Sequence, residues 1–397
     1  MEMIPLGLTA LGMVNVLGDT LSTISRNVIY PHDSKLSQVT LKTTGEKVLA
    51  GRVLTPLHDL PEELLEYSCR NHALAYSAFL QIKNDVSRVI EKYGAERVGI
   101  VLGSSTSGLD ASETAVFSWL DTGELPSDYN FLTQHQMGSV SEFIARLSMS
   151  KGPFFTVSTA CSSSAKAFAS ASNLINLNIC DAVIVGGVDT LCHLTLNGFR
   201  TLELISNGVS NPFSLNRNGL NIGEGAALFV LERSPGIINL CGVGESCDAY
   251  HVSAPDPTGK GAISAMENAL ESASLKPDEI GYLNLHGTGT PLNDMMEAKA
   301  VDALFNDVPC SSVKPLTGHC LGAAGAMEAG VCWLTLNAER PNRLMPAHLW
   351  DGVSDPDLPQ LQLVREGGTL DRKSTYVMSN SFAFGGSNCS VVLGRDG

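Results

Sequence analysis

The sequence predicts an α/β protein with mostly parallel or mixed sheets covered on both faces. Two observations carry that prediction. Short apolar runs, bounded by Gly, Pro or Asn, alternate with longer helix-like stretches. Two of those stretches, one in each half of the chain, are built from small residues almost without charge. A helix of that kind has no polar face to give to water and has to be packed on all sides.

The runs read as strands are 98–103, 154–158, 182–188 and 227–231, and after Pro235 they are 241–244, 281–285, 312–314, 376–379 and 389–393. Each is short and apolar or β-branched, as buried strands are. The small-residue helices are 162–177, whose one charge is Lys166, and 321–338. A buried helix in each half predicts an internally duplicated fold with a central helical layer. The halves are taken as 1–235 and 236–397.

Composition narrows the class further. Charged residues make up 17% of the chain, against roughly 25% in soluble domains generally. Apolar residues make up 44%. This suits a large core and a surface partly covered by another subunit. The formal net charge is -15 and no Lys/Arg-rich run occurs, which excludes a protein devoted to nucleic acid. The ten cysteines form no C-x-x-C pair, and no Cys/His spacing matches a zinc motif. Reduced, mostly buried thiols and no metal are expected. No basic leader region and no long apolar span is evident, so a cytoplasmic protein without membrane insertion is expected.

Four segments carry chemistry. In Thr159-Ala160-Cys161-Ser162-Ser163-Ser164-Ala165, a strand runs through a turn into the first small-residue helix. Cys161 then stands at a helix N-terminus, where the dipole and free N–H groups favour a thiolate and an oxyanion. A structural cysteine is the competing reading. In His286-Gly287-Thr288-Gly289-Thr290-Pro291-Leu292-Asn293-Asp294, a histidine ends a strand, where ligands gather in α/β sheets. The third segment, Val313 to Glu328, holds Lys314, His319 and Glu328 around the start of the second small-residue helix. Glu328 in such a helix needs a partner, and Lys314 is the natural one. The last is Asn380-Ser381-Phe382-Ala383-Phe384-Gly385-Gly386-Ser387-Asn388, a glycine turn after a strand.

Together with Asn211-Pro212-Phe213 and Gly223-Glu224-Gly225-Ala226-Ala227, these motifs fall in one order along nearly the whole chain. The sequence resembles the β-ketoacyl-acyl carrier protein synthases of the thiolase-like condensing-enzyme superfamily. The resemblance implies a duplicated α/β/α/β/α layered fold and an obligate dimer. The dimer would be a homodimer, or a heterodimer with a homologous chain-length factor that lacks the cysteine. It implies an acyltransferase that condenses an acyl thioester with malonyl-carrier protein. Cys161, His286, His319 and Lys314 would be the catalytic set, supported by Glu328 and Asp294. Lys314 and Glu328 would position His319. The N–H groups of Cys161 and Phe384 would form the oxyanion hole. Thr288, Thr290, Phe384 and Gly385 would meet the phosphopantetheine arm, with Phe384 as a gate. No cofactor beyond that arm, which arrives on an acyl carrier protein, is implied.

The chain departs from the family pattern at three places. It opens Ile4-Pro5-Leu6-Gly7-Leu8 in place of a β-branched strand, has Ala383 where Gly is usual, and reads Leu-Asn-Asp after Pro291. Arg70 is a candidate dock for an acidic carrier protein. Three other readings compete: a non-catalytic chain-length factor or scaffold, a cysteine hydrolase, and a degradative thiolase. The thiolase needs a second catalytic cysteine, and Cys389, in the final predicted strand, reads as core.

Overall fold

The computed structural model describes residues 4–31, 34–338, 343–371 and 373–396. The N-terminal half supplies strands β1 (Leu6–Asn15), β2 (Ser37–Thr40), β3 (Lys47–Ala50), β4 (Val98–Gly103), β5 (Phe154–Val157), β6 (Ala182–Asp189) and β7 (Gly225–Glu232). Its helices are α1 (Leu21–Ile29), α2 (Arg70–Tyr93), α3 (Leu109–Thr122), α4 (Ser139–Ser148), α5 (Ser163–Asn176) and α6 (His193–Thr201). The C-terminal half supplies β8 (Ile238–Cys247), β9 (Ile280–Asn284), β10 (Pro309–Ser311), β11 (Gln362–Leu363), β12 (Tyr376–Ala383) and β13 (Ser387–Arg395). Its helices are α7 (Lys260–Ala273), α8 (Pro291–Leu304), α9 (Lys314–Thr317) and α10 (Ala324–Asn337).

Eleven strands form one mixed sheet in the order β11-β10-β9-β12-β13-β8-β1-β7-β6-β4-β5, and β2 and β3 form a separate hairpin. The duplication is visible in this order. Number β1, β4, β5, β6 and β7 from one to five, and likewise β8, β9, β10, β12 and β13. Both sets then lie in the order 3-2-4-5-1. In both, the pairs 3-2 and 2-4 are parallel and the pairs 4-5 and 5-1 are antiparallel. Within the sheet the halves join where β1 pairs with β8, Leu6 with Leu240 and Gly7 with Asn239.

The expected central layer is present. Helix α5 touches β4 and β6 on one side and β13 and β8 on the other, and α10 touches β12 and β13 as well as β7 and β6. The two helices also touch each other. Their small residues make that possible: a Cβ on Gly325 of α10 would lie 2.7 Å from the Ala165 nitrogen of α5. Helix α2 covers β1 and β7, and α7 covers β8 and β13. The layers therefore run helix, sheet, helices, sheet, helix.

Two strand expectations need correcting. The reading of the sequence passes over β1, which lies at the centre of the sheet between β7 and β8. Its glycines weaken the strand signal but serve packing: a Cβ on Gly12 would lie 2.1 Å from the Ala78 carbonyl of α2. The run 312–314 is not a strand. The strand is β10, three residues earlier, and Lys314 opens the single-turn helix α9, with Pro315 at its N-terminal end, where a missing N–H costs nothing. Eight of the ten cysteines are buried and all ten are free thiols. Cys389 pairs with Ser381 inside the sheet, fully buried, as read. No helix among the described residues is long and apolar enough to cross a membrane.

Candidate active site

The site gathers where strands of both halves end. Strand β5 stops at Val157, and the chain turns through Ala160 at φ +52°, a left-handed conformation that a non-glycine residue adopts only when its surroundings impose it. The Thr159 N–H donates to Ser163 Oγ at 2.9 Å, which fixes that turn onto the first residue of α5. Cys161 is thereby held just before the helix, 6% exposed.

His319 reaches Cys161 from the other half. Its Nε2 lies 3.0 Å from Cys161 Sγ. The backbone holds it there: its N–H donates to the Asn221 carbonyl at 2.7 Å, and its carbonyl accepts from Gly223 N at 2.9 Å. This is the place of the Gly223-Glu224-Gly225 motif in the site. His286 follows β9, and its ring packs edge-to-face on His319 with centroids 5.2 Å apart. The three donor atoms of Cys161, His286 and His319 lie within 4.8 Å of one another, all in buried residues.

Lys314 is 1% exposed. Its Nζ donates to Glu328 Oε1 and to the His286 carbonyl oxygen. The expected Lys314–Glu328 pair forms, but its hydrogen bond goes to His286 and not to His319. Lys314 anchors the one histidine through its carbonyl and reaches the other only along the chain of α9. Burial pushes the Glu328 carboxyl up to about 7, with the Lys314 charge pulling the other way. Lys314→Met would leave that carboxyl buried and unpaired, so unfolding in urea should show a loss of about 3–5 kcal/mol. The sign with pH follows. A carboxyl whose folded pKa is raised destabilises the fold where it must be ionised, so the loss should be larger at pH 8 than at pH 6.

Burial sets the protonation of the trio. It pushes the Cys161 thiol up to about 12, against the Lys314 charge and the Phe384 N–H, which both favour the thiolate. Desolvation therefore opposes the thiolate that the helix end is expected to favour. Both histidines are held well below their usual range, first by burial and then by Lys314. All three shifts favour the neutral form of the group. Neither Nδ1 has a hydrogen-bond partner among the described residues, so the Cys161 thiol beside His319 Nε2 is the contact that bears on that ring's tautomer.

Phe384 sits in the turn between β12 and β13, where its N–H favours the thiolate form of Cys161. Its ring stacks on Phe199 of α6 at 5.5 Å. A cavity of about 310 Å³ opens here, lined by Cys161, His286, His319, Phe384, Thr288 and Thr290 among others. The two threonine hydroxyls lie 2.9 Å apart. Gly385 does not line the cavity: it is exposed, and its N–H donates to the Val252 carbonyl.

Asp294 is buried in the first turn of α8 and accepts from Phe213 N at 2.8 Å and Gly289 N at 3.1 Å. It ties the histidine loop to the Asn211-Pro212-Phe213 segment. Burial pushes its carboxyl up to about 6.

Three buried residues that the sequence reading does not assign support the site. Glu297, one turn after Asp294 on α8, accepts from the N–H groups of His286 and Gly287, both at 2.7 Å. Its i, i+3 relation to Asp294 is the signal that was available. His348 takes the Ser312 N–H on Nδ1 at 3.0 Å, so its Nε2–H faces the Pro212 carbonyl at 3.1 Å. Asp189, at the end of β6, accepts from Ser104 Oγ, Ser105 N and Oγ, Thr106 N and Oγ1, and Gly322 N. It joins the loop after β4 to the turn that follows His319. Asp189→Ala would orphan the Ser105 and Thr106 N–H groups and leave Gly322 N only its bond to Ser105 Oγ, and its urea unfolding should show a loss of about 3 kcal/mol or more.

Arg70 is not a free dock. Its guanidinium grips the buried Glu224 carboxylate, with Nε to Oε2 at 2.9 Å, and donates to the Val53 carbonyl. Its charge is already neutralised inside the fold.

Comparison with known proteins agrees with this arrangement. The beta-ketoacyl synthase N-terminal domain matches residues 75–235 and the C-terminal domain matches residues 238–344. The 3-oxoacyl-[acyl-carrier-protein] synthase 2 of Coxiella burnetii is 33% identical over 342 residues, 79% of each chain. The solved ketosynthase ApeO in complex with its chain length factor ApeC, from Xenorhabdus doucetiae, has a TM-score of 0.93 at 42% identity. That match covers 99% of this chain and 98% of the other. The ishigamide ketosynthase/chain length factor has a TM-score of 0.88 at 25% identity and covers 99% of each chain. With its five-layer duplicated fold and its relatives at this level, the chain belongs to the β-ketoacyl synthase family.

Proposed function

We propose that this chain is the catalytic subunit of a 3-oxoacyl-[acyl-carrier-protein] synthase. The observation that carries the reading is the 3.0 Å contact of Cys161 Sγ with His319 Nε2, with the Phe384 N–H favouring the thiolate form of the same cysteine. Residues 1–235 supply the nucleophile, and residues 236–397 supply the histidines, Lys314 and the glycine turn.

In the first half-reaction the Cys161 thiol attacks the carbonyl of an acyl thioester on a carrier protein's phosphopantetheine arm. His319 Nε2 takes the thiol proton as the S–C bond forms, and the N–H groups of Cys161 and Phe384 hold the oxyanion. The carrier thiolate leaves and takes that proton back. In the second half-reaction a malonyl thioester enters. His286 and His319 donate to its carbonyl oxygen as the bond to CO2 breaks, which stabilises the enolate. The enolate carbon attacks the acyl-Cys161 carbonyl, the C–S bond breaks, and the Cys161 thiolate released takes one proton from solvent to restore the thiol. The product is a 3-oxoacyl thioester two carbons longer. Lys314 and Glu297 hold the His286 segment, and Thr288 and Thr290 line the path of the pantetheine arm. No step calls on a bound cofactor.

The partner we assign is a homologous chain-length factor, as in the two ketosynthase complexes. Strand β5 is the edge of the sheet, with Phe154 and Phe155 49% and 39% exposed, and Val116, Trp119 and Leu120 of α3 are exposed as well. An open edge strand bearing aromatics is a surface for another chain. The intact Cys161, His286 and His319 set makes this chain the catalytic partner and not the scaffold. The cellular setting that fits is cytoplasmic, in fatty-acid or specialised polyene or polyketide synthesis.

The test combines acyl-carrier and malonyl-carrier protein with the enzyme, with and without the candidate partner, and weighs products and native complexes. A 3-oxoacyl product that requires malonyl-carrier protein, formed by a two-chain complex, supports the reading. Thioester hydrolysis without malonyl dependence would identify a hydrolase. A fully active dimer of this chain alone would remove the chain-length factor.

A further inference from the structure

Cys161, His286 and His319 form the one cluster of three potential metal donors among the described residues. They come from three separate segments, so no zinc-ligand spacing in the sequence brings them together. One soft thiol and two imidazoles are the ligand chemistry of zinc, which takes sulfur at about 2.3 Å and nitrogen at about 2.0–2.1 Å in a tetrahedron. Those bond lengths place neighbouring ligand atoms roughly 3.3–3.6 Å apart. Cys161 Sγ and His319 Nε2 are already 3.0 Å apart, and all three donors lie within 4.8 Å. Small side-chain shifts close the set around an ion.

We propose that this trio binds one divalent zinc ion as a reversible inhibitor, through Cys161 sulfur and one ring nitrogen of each histidine. The fourth position faces the cavity and takes water. The Cys161 S–H bond breaks as the S–Zn bond forms, the proton leaves to solvent, and no electron is transferred. The Lys314 charge opposes a cation here, and its pairing with Glu328 offsets part of that. The site is inhibitory and not a resident metal centre. Dedicated sites anchor the far nitrogen of each histidine on a carboxylate or carbonyl, whereas Nδ1 of both His286 and His319 is buried without a partner. An acyl group on Cys161 removes the sulfur ligand, so loaded enzyme is protected and idle enzyme is not.

The binding itself depends only on the geometry, and the inhibition depends on the proposed function. Co(II) titrated into the purified protein should give thiolate-to-cobalt charge-transfer absorption that saturates at one equivalent and is displaced by Zn(II). Cys161→Ser should abolish the band. His319→Ala should weaken binding about tenfold or more. Cys247→Ser, which removes the exposed thiol, should leave it unchanged. Prior acylation of Cys161 should prevent it. At free Zn(II) ten times its Kd, acyl transfer should fall about elevenfold and return with chelator. Absence of a stoichiometric band, a band that survives in Cys161→Ser, or one that follows Cys247 overturns the proposal. Metal binding without condensation would instead count against the proposed function alone.

Discussion

Cys161→Ala is expected to abolish 3-oxoacyl formation, by roughly 10⁴-fold or more, while malonyl decarboxylation continues. The two outcomes separate because the sulfur and the histidines serve different steps. Without Sγ there is no acyl-enzyme, and the enolate has nothing to attack. The groups that hold the malonyl carbonyl, His286 and His319, are positioned by other contacts: the Lys314 and Glu297 bonds to the His286 segment, and the Asn221 and Gly223 bonds to His319. None of these runs through Cys161. The removed volume is small and lies against an existing cavity, so the fold should be kept. Counting CO2 and 3-oxoacyl product in the same reaction checks it. Product from this variant would remove Cys161 as nucleophile.

His319→Ala should lose both activities. Decarboxylation is expected to fall about 10²-fold or more, the scale for removing one donor from a developing oxyanion. Acylation of Cys161 should slow as well, because the thiol, held at about 12 by burial, loses the acceptor 3.0 Å away. The native enzyme's decarboxylation should be flat between pH 6.5 and 8 with respect to this group, roughly the range above the ordinary histidine pKa. A histidine held well below that value is neutral throughout it. Normal malonyl turnover in the variant would remove His319 from the mechanism. A decline of the native rate as pH rises through this range would show that the imidazolium is the active form.

The trio proposed as catalytic was legible because each member announces itself locally. Cys161 follows a predicted strand and precedes a helix of small residues, and His286 ends an apolar run. Lys314, His319 and Glu328 share one segment, and Glu328 inside an apolar helix called for a cation, which Lys314 supplies. The supporting residues were not legible, because they act on backbone groups brought in from far along the chain. Asp189 bonds residues more than 80 positions before it and Gly322 more than 130 after it. Nothing in Val183–Asp189 states what its carboxylate will meet. Arg70 misled for the same reason: an arginine in a polar stretch gives no sign that Glu224, 154 residues on, will neutralise it. The central strand β1 was missed because its glycines serve close contact, Gly12 with α2 and Gly7 with the backbone at 234–236, not strand propensity. The depth of the pocket around Cys161, which opposes a thiolate there, is a quantity that no motif carries.

The most direct test of the account is the intact mass of the enzyme after exposure to acyl-carrier protein, with the partner chain present. The account predicts a shift by the mass of one acyl group, mapped to Cys161 among the ten cysteines and discharged when malonyl-carrier protein is added. A shift mapped to another cysteine, or one that malonyl-carrier protein leaves in place, would contradict it.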